Sequence, residues 1–215
     1  MRGVAPSAEH LTALEGLDFG YVCDVGANRG QFSLLCEICR PGLAISAFEP
    51  MRDEADVFRK ILGGHSQIRL HEVALGEKAG EAILHLSRSR DSSSLLTIGE
   101  DQARIFPKTE EIGRTKVPVK CLDDFSMEWA EHARVMLKLD VQGYELCVLK
   151  GAAETLRRCA YVYVECSEIQ LYEGQALRSE VSAFLEDRGF RMRSRGNEIT
   201  DQGRLVQADY LFERC

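Results

Sequence analysis

The sequence predicts an α/β protein with a parallel sheet, and three consecutive features near its start carry the prediction. Residues 21–25 form a short apolar run rich in residues that favour strands. A turn follows in which Gly26 and Gly30 lie on either side of Asn28. Residues 32–39 then place apolar side chains at helical spacing. A strand, a glycine turn and a helix in this order form a crevice at the carboxyl edge of a sheet, where α/β proteins bind nucleotides.

Strands and helices alternate along the chain after this first unit. The hydrophobic pattern predicts core strands at 43–48, 68–73, 135–141 and 161–166. It predicts helices at 55–62, 144–158 and 177–185, after a helical lead-in over 1–20. Paired strands are expected at 81–87 and 116–122, and a terminal pair at 190–194 and 208–214 with a turn at Gly196 and Asn197. We expect one domain over residues 1–215, because no linker rich in proline or serine divides the chain.

Charge and composition argue against several classes of partner. The net charge is −7 at pH 7, which disfavours binding to a phosphate backbone, so we expect no nucleic-acid partner. No apolar run approaches the roughly 18 residues that span a membrane, and residues 1–20 lack a signal-peptide core. We therefore predict a cytoplasmic protein with no membrane partner. The sequence leaves the oligomeric state open.

The eight cysteines are scattered and do not suggest a metal site. Cys36 and Cys39 form a lone C-x-x-C, and helical spacing predicts that both lie on the buried stripe of the first long helix. No second C-x-x-C or spaced histidine pair completes a zinc set. Because free cysteine packs as a small hydrophobe, we predict structural cysteines and no bound metal.

The glycine turn also indicates which nucleotide the crevice binds. A dinucleotide fingerprint needs glycines two and five residues after the first, where this chain has Asn28 and Gln31. Asp24, inside the strand, suits a positively charged ligand better than a phosphate. S-adenosylmethionine carries a sulfonium and an ammonium group and no phosphate, so the turn favours it over a nicotinamide cofactor. The alternative is an ordinary strand–turn–helix in which the glycines are needed only for the backbone geometry of the turn.

Two later strand ends supply candidate contacts to this cofactor. Glu49 follows the second strand, where an acidic side chain commonly accepts hydrogen bonds from ribose hydroxyls. The alternative role of Glu49 is to stabilise the N-terminus of the next helix as a carboxylate. Glu72 and Val73, at the end of the third strand, are placed to edge an adenine ring.

The strand predicted at 135–141 carries charged residues in an apolar run. Lys138 and Asp140 share one face, because strand side chains alternate. A buried lysine needs a partner, and Asp140 is the nearest candidate. The alternative is that Lys138 extends outward at a sheet edge. Glu165 lies near the end of the next core strand, and charged groups with displaced pKa values gather at active sites.

Residues 88–115 form a long polar excursion that includes three consecutive serines. A segment of this kind near a binding crevice is a candidate lid or substrate loop. A solvated insertion is the alternative, and composition does not choose between the two.

Six motifs occur in an order that resembles the FkbM family of methyltransferases. They are DVGANRGQFS at 24–33, FEP at 48–50, VALGEKAG at 73–80, LDDF at 122–125, KLDVQGYELCVLKGA at 138–152 and VYVEC at 162–166. The first motif is typical of any class I methyltransferase, whereas the block at 138–152 is specific. The resemblance, over roughly residues 20–170, implies a Rossmann-like, mostly parallel seven-stranded sheet with helices on both faces and a reversed last strand. It implies S-adenosylmethionine as methyl donor and O-methylation of a hydroxyl on a sugar or small secondary metabolite.

The resemblance also implies roles for individual residues. The implied cofactor contacts are Asp24, Gly26, Ala27, Asn28 and Gly30 at the methionine end, Glu49 with its neighbour Pro50 at the ribose, Glu72 and Val73 at the adenine, and Asp140 beside the transferred methyl group. One position departs from the family pattern, since Gln142 stands where the family block usually has glutamate. If that carboxylate serves acceptor binding or base chemistry, specificity or activity is altered here.

Methyl transfer requires mainly that the protein align the nucleophile and remove its proton. Asp140 is the first candidate for the base or acceptor-positioning group, Lys138 would tune it, and Glu165 is the alternative. Two other functions stay open. One is a cofactor-binding module that has lost catalysis, which Gln142 suggests. The other is an RNA ribose methyltransferase, suggested by Lys138, Asp140, Lys150 and Glu165 but disfavoured by the acidic net charge.

Overall fold

The computed structural model describes residues 4–129 and 134–215. Its strands are β1 (Tyr21–Val25), β2 (Ala44–Phe48), β3 (Ile68–His71), β4 (Ala74–Leu75), β5 (Gly80–Ser87), β6 (Glu111–Lys120), β7 (Val135–Leu139), β8 (Cys159–Ser167), β9 (Phe190–Asp201) and β10 (Arg204–Arg214). Its α-helices are α1 (Leu11–Leu14), α2 (Gln31–Cys39), α3 (Arg52–Leu62), α4 (Glu100–Ile105), α5 (Glu145–Lys150), α6 (Ala153–Arg158) and α7 (Arg178–Glu186). Short 3₁₀ turns lie at Ala8–His10, Arg90–Ser92 and Leu122–Glu128.

The main sheet has seven strands in the order β3-β2-β1-β7-β8-β10-β9. The first five of these are parallel, whereas β10 runs antiparallel to both β8 and β9. The strand order reverses between β1 and β7, which places their carboxyl ends beside a crevice. This architecture confirms the predicted α/β fold, including the reversed last strand.

Two hydrophobic cores show that helices cover both faces of the sheet. One core joins α1, α2 and α3 to one face, and the other joins α5, α6 and α7 to the opposite face. Strands β1 and β7 are buried along their whole length, as expected for central strands of a parallel sheet covered on both sides. Among the described residues, no helix is long and apolar enough to cross a bilayer.

A second, three-stranded sheet has the order β4-β6-β5. Strands β5 and β6 pair antiparallel, which confirms the expected pairing, although β6 begins at Glu111 rather than near residue 116. The third core strand is shorter than predicted, because the chain leaves the main sheet after His71 and joins the second sheet at Ala74.

The predicted helix over 144–158 is two helices, α5 and α6, separated at Gly151. A Cβ at Gly151 would lie 2.0 Å from the carbonyl oxygen of Gly76, so the helix is interrupted where two backbone segments come into contact.

Cys39 was predicted to be buried and is exposed, because α2 ends there. Of the predicted lead-in over 1–20, residues 1–3 lie outside the described chain.

The terminal hairpin is longer than predicted and turns elsewhere. Gly196 and Asn197 lie within β9, and the turn falls at Gln202 and Gly203, both with positive φ. The pattern misled because β9 is exposed along nearly all its length and lacks apolar alternation. Strand β9 forms one edge of the main sheet and contains several register shifts against β10.

Candidate active site

A crevice of about 640 Å³ opens at the carboxyl ends of β1, β2 and β7. Its lining includes predicted cofactor contacts, namely Gly26, Asn28, Glu49, Pro50, Val73 and Asp140. It also includes apolar side chains that the sequence did not single out, namely Phe48, Met51, Leu75, Leu84 and Leu95.

The turn after β1 is held tightly against the loop after β7. Gly26 has φ +75°, and a Cβ there would lie 1.8 Å from the carbonyl oxygen of Asp140. The N–H groups of Gly26 and Ala27 both donate to the carbonyl of Phe48, at 3.1 and 3.0 Å. Only glycine fits both the conformation and the space at position 26, so the turn and the Asp140 loop form one fixed wall of the crevice.

Glu49 is buried at the end of β2 and its carboxylate organises the floor of the crevice. One oxygen accepts the backbone N–H of Asn28 at 2.9 Å, and the other accepts that of Met51 at 2.7 Å. Met51 is the residue that caps α3, so the alternative capping role is present in the structure. Burial raises the pKa of Glu49 to about 7, against the lowering effect of these two N–H donors. Each oxygen retains a lone pair for a ligand hydroxyl.

Several predicted cofactor contacts are not on the surface of the crevice. Asp24 is fully buried, and its carboxylate accepts the Ser33 hydroxyl at 2.6 Å. Ala27 is also buried. Gly30 packs its backbone against Phe58, where a Cβ would come within 2.8 Å of the ring. Asp24, Ala27 and Gly30 are not among the residues that line the crevice, and their direct contact with the cofactor stays a prediction.

Glu72 was expected to lie beside the adenine ring, but its carboxylate pairs with Arg59. Glu72 does not line the crevice, whereas Val73 does. Glu72 and Val73 lie between β3 and β4, outside either strand, and the ion pair with Arg59 holds Glu72 against α3 and away from the crevice lining.

Lys138 is buried, with a side-chain exposure of 7%, and is fully partnered. Its ammonium lies 3.4 Å from Asp24 and 3.7 Å from Asp140, and it donates to the carbonyl of Gly26 at 3.1 Å. Burial acts to lower the pKa of Lys138, but the charges of Asp24 and Asp140 outweigh it and the pKa is raised. The sequence named Asp140 as its partner; Asp24 is the closer one. Lys138 therefore joins the glycine turn, Asp24 and Asp140 electrostatically.

Gln142 lies at the centre of the polar residues beside the crevice. Its amide nitrogen donates to Asp140 at 2.7 Å and to Glu165 at 2.8 Å, so one amide bridges both carboxylates. Its amide oxygen accepts the Tyr172 hydroxyl at 2.8 Å. Burial raises the pKa of Glu165 well above its ordinary range, and the nearby charge of Asp140 adds to the increase. A glutamate at position 142 would place a third carboxylate between these two.

A second cavity lies beyond Asp140, on the far side from β1. It is walled by side chains from the 88–110 segment, the loop after β7 and the β8–β10 region, including Asp91, Gln102, Phe106, Asp140, Gln142, Glu165 and Ile199. Asp91, Asp140 and Gln142 line both this cavity and the crevice, so the two meet there.

The predicted loop over 88–115 is ordered and closes over this junction. It contains a 3₁₀ turn, helix α4 and the start of β6. The Ser94 hydroxyl donates to the carbonyl of Gln142 at 2.7 Å, and the Tyr172 hydroxyl lies 3.0 Å from the carbonyl of Ser92. The N–H of Gly99 donates to the carbonyl of Leu171 at 2.9 Å. Whether the segment moves as a lid stays a prediction.

The fold and crevice together define a class I methyltransferase. Solved structures with this architecture include magnesium protoporphyrin IX methyltransferase from Synechocystis PCC 6803 with bound S-adenosylmethionine, with a TM-score of 0.51 at 12% identity over 95% of this chain and 74% of that one. They also include precorrin-6y C5,15-methyltransferase from Geobacter metallireducens GS-15, with a TM-score of 0.50 at 12% identity over 96% of this chain and 87% of that one. At these identities the likeness shows the fold alone.

The model of the methyltransferase FkbM domain matches residues 24–192, so the chain belongs to the FkbM methyltransferase family. A relative from Sinorhizobium fredii, 2-O-methyltransferase NoeI, is 29% identical over 160 residues, which cover 72% of this chain and 66% of the relative. Methyltransferase sdnD from Sordaria araneosa is 27% identical, and the match covers 87% of this chain and 80% of sdnD. The protein is a methyltransferase that uses S-adenosylmethionine.

The crevice fits this cofactor by its own chemistry. It offers a buried carboxylate at Glu49, an apolar wall and a glycine turn without the further glycines that a pyrophosphate needs. The sequence missed Tyr172 and the bridging role of Gln142, because no local pattern links residues so far apart in the chain. Lys150 is exposed at the end of α5 and lines neither cavity, so the four charged residues typical of RNA ribose methyltransferases are not brought together.

Proposed function

We propose that this methyltransferase transfers the methyl group to a hydroxyl of a small acceptor, either a sugar or a hydroxylated secondary metabolite. The observation that carries the proposal is the position of Asp140, whose carboxylate lies where the cofactor crevice meets the second cavity. A hydroxyl in the second cavity would approach the crevice past this carboxylate. The relative NoeI, named a 2-O-methyltransferase, supports oxygen as the accepting atom.

Within the crevice, the described residues suit the parts of the cofactor. Glu49 would accept hydrogen bonds from the ribose hydroxyls, and the apolar wall at Val73, Leu75 and Leu84 would pack against the adenine. Gly26 and Asn28 would lie beside the methionine end. The bound cofactor supplies a methyl group already activated by its sulfonium. Asp24 would act indirectly, through Lys138 and the carbonyl of Gly26.

The protein's part in the reaction is to align the acceptor and take its proton. With the cofactor held by Gly26, Asn28 and Glu49, its methyl group would be available to an acceptor oxygen aligned in the second cavity, and Asp140 would take the hydroxyl proton. Lys138 lies 3.7 Å from one carboxylate oxygen of Asp140, while the Gln142 amide donates to the other at 2.7 Å, so both oxygens are held in place. Glu165 is the alternative base, although its raised pKa keeps it protonated to higher pH.

A binding module that has lost catalysis is the second candidate, because Gln142 replaces the family glutamate. Against it, the Gln142 amide satisfies both carboxylates and leaves Asp140 partly exposed to the junction, with a side-chain exposure of 37%. The substitution therefore preserves an ordered base rather than removing one.

A turnover assay separates the two candidates. S-adenosylhomocysteine release would be followed with S-adenosylmethionine and a panel of monosaccharides, amino sugars and small polyols. Acceptor-dependent release, with the methyl group found on oxygen by mass spectrometry and NMR, is the expected result. Tight binding of S-adenosylhomocysteine without release in any acceptor mixture supports the binding module instead. Methylation on nitrogen or carbon would overturn the proposed reaction.

A further inference from the structure

The second cavity has an unusual balance of charge. The carboxylates of Asp91 and Asp140 line it together with the carboxyl group of Glu165, and its described lining contains no lysine, arginine or histidine. An anionic acceptor, such as a sugar phosphate or a uronate, would enter this cavity without a counter-charge. Like charges in a partly buried space disfavour such binding.

The basic groups closest to these walls are already paired. Lys138 contacts Asp24 and Asp140 and is buried beneath the junction. Arg90 lines the neighbouring crevice, where it lies 3.3 Å from Asp53 and 3.9 Å from Glu54. A ligand cation would therefore meet carboxylates that the protein's own cations do not fully neutralise.

A second, independent feature points to a ligand that donates hydrogen bonds. Gln102 lies in the wall of the cavity and is only 2% exposed. Its side-chain oxygen is buried and accepts no hydrogen bond from the described residues. A buried acceptor without a donor is unfavourable, and a ligand N–H or O–H in contact with it would remove that cost.

The remaining walls suit a polyhydroxylated molecule. Amide groups of Gln142 and Gln207 and the Ser89 and Ser92 residues offer hydrogen-bonding atoms, while Phe106 gives an aromatic face. Planar amides and carboxylates pair with neighbouring hydroxyls, and an aromatic ring packs against the apolar face of a sugar ring.

We propose that this cavity is the acceptor site and that it selects a polyhydroxylated acceptor carrying a protonated amine, as in an amino sugar or aminocyclitol. The inference rests on the proposed function, because it places the accepting hydroxyl at Asp140. The ammonium group would lie among Asp91, Glu165 and the Gln102 oxygen. A protonated amine has no free electron pair, so the methyl group still passes to oxygen.

The test uses three probes on one pyranose scaffold: D-glucosamine, D-glucose and D-glucose 6-phosphate. Each would be titrated by calorimetry into the full chain saturated with S-adenosylhomocysteine, at pH 7 and low salt. We expect glucosamine to bind at least about tenfold more tightly than glucose, since charge-assisted hydrogen bonds are about twice as strong as neutral ones. The phosphate should bind more weakly than glucose. The glucosamine advantage should shrink as salt is added.

Two variants locate the effect. Asp91→Asn should cut the glucosamine advantage several-fold, because it removes the charge that favours the ammonium and weakens glucose less. Asp101→Asn is the matched control, because Asp101 precedes Gln102 on α4 but pairs with Arg104 and does not line the cavity. Gln102→Leu, which removes the unpaired oxygen, should weaken glucosamine and raise the melting temperature of the free protein.

The outcomes separate the inference from the function on which it rests. Failure of S-adenosylhomocysteine to bind would defeat the cofactor site itself. Normal cofactor binding with equal affinities for glucosamine and glucose, with tighter binding of the phosphate, or with no binding of any probe would overturn the inference alone. An Asp91→Asn variant that keeps the full glucosamine advantage would also overturn it.

Discussion

The crevice and the second cavity meet at Asp140 but are built in different ways. The crevice is formed mainly by backbone: a glycine turn, the ends of parallel strands and a carboxylate that binds two N–H groups. The second cavity is formed by side chains from the 88–110 segment, β8, β9 and β10, which are far apart in the chain. The crevice therefore depends on local geometry that a fold conserves, and the cavity depends on side chains that can change without changing the fold.

A buried carboxylate supports each side of the junction. Glu49 accepts two backbone N–H groups on the crevice side, and Glu145 accepts those of Val141 and Gly143 on the other side, at 3.2 and 3.0 Å. Burial raises the pKa of each to about 7. The same arrangement, a buried carboxylate that accepts two backbone N–H groups, therefore fixes both turns. The two differ because Glu49 also lines the crevice, where a ligand can reach it.

The largest expected effect is on the shared residue. Asp140→Asn removes the proposed base, so turnover should fall about 10²–10⁴-fold. Affinity for S-adenosylhomocysteine should stay within a few-fold, because Glu49 and the glycine turn are unchanged. Folding should be only mildly affected, since Lys138 keeps Asp24 as its partner at 3.4 Å. Rates by coupled assay and affinities by calorimetry give both numbers. A variant with normal turnover would move the role of base to Glu165.

The rigid wall between the two sites is tested at Gly26. Gly26→Ala places a Cβ 1.8 Å from the Asp140 carbonyl and forces an L residue to φ +75°. We expect a loss of at least about 3 kcal/mol in the free energy of unfolding, from the conformational cost and the displaced loop. Gly42→Ala is the control, because Gly42 has φ +84° and open space around its Cα. Denaturant melts that show equal losses for both would mean that the close approach costs nothing.

The pH dependence of stability is tested at Glu145. Its folded pKa of about 7 lies above the ordinary value of 4.5, so the folded protein retains this proton in the interval between them. The stability associated with that proton is full below about pH 4.5 and is lost as pH rises through about 7. Glu145→Gln cannot lose a proton, so its stability relative to wild type should increase by up to about 3 kcal/mol between pH 5 and pH 8. The exposed Glu77→Gln change should show a flat difference; a flat difference for Glu145→Gln as well would contradict the raised pKa.

On the crevice side, Glu49→Ala should lower cofactor affinity at least about tenfold, because the two charge-assisted hydrogen bonds proposed for the ribose would be lost. The melting temperature should also fall, since the N–H groups of Asn28 and Met51 lose their acceptor. Affinity must therefore be measured per folded molecule, by calorimetry well below the melting temperature. Unchanged affinity with reduced stability would assign Glu49 to capping alone.

The smallest expected effect concerns the residue that departs from the family. Gln142→Glu restores the family residue but adds a third carboxylate between Asp140 and Glu165, and repulsion among the three groups should make the cluster hold a proton to higher pH. We expect a several-fold lower kcat/KM at pH 7 and an acidic limb moved to higher pH. Gln142→Ala should lower kcat/KM without moving that limb upward. Faster turnover by Gln142→Glu would show that the natural glutamine impairs the enzyme.

The sequence predicted the crevice better than the cavity, for a physical reason. Gly26, Asn28 and Glu49 follow strands within one short part of the chain, so spacing alone placed them together. Burial of Asp24 and the outward direction of Glu72 depend on packing against α2 and α3, which spacing does not specify. The bridge from Gln142 to Glu165 needs the register of β7 and β8, which only the folded sheet defines.

Strand β9 forms one edge of the main sheet, and its outer backbone groups have no strand beside them in the described chain. Exposed edges of this kind invite pairing with another molecule and aggregation. Arg191, Arg193 and Arg195 alternate along this edge, and its register against β10 is interrupted by irregularities. Arg191 and Arg193 pair with Glu213, and Arg195 pairs with Glu198. Charged side chains and an irregular edge both disfavour pairing with a second copy. The same strand carries Ile199 into the wall of the second cavity. The sequence of β9 therefore serves two purposes: it must disfavour pairing with another molecule, and it must shape one wall of the second cavity.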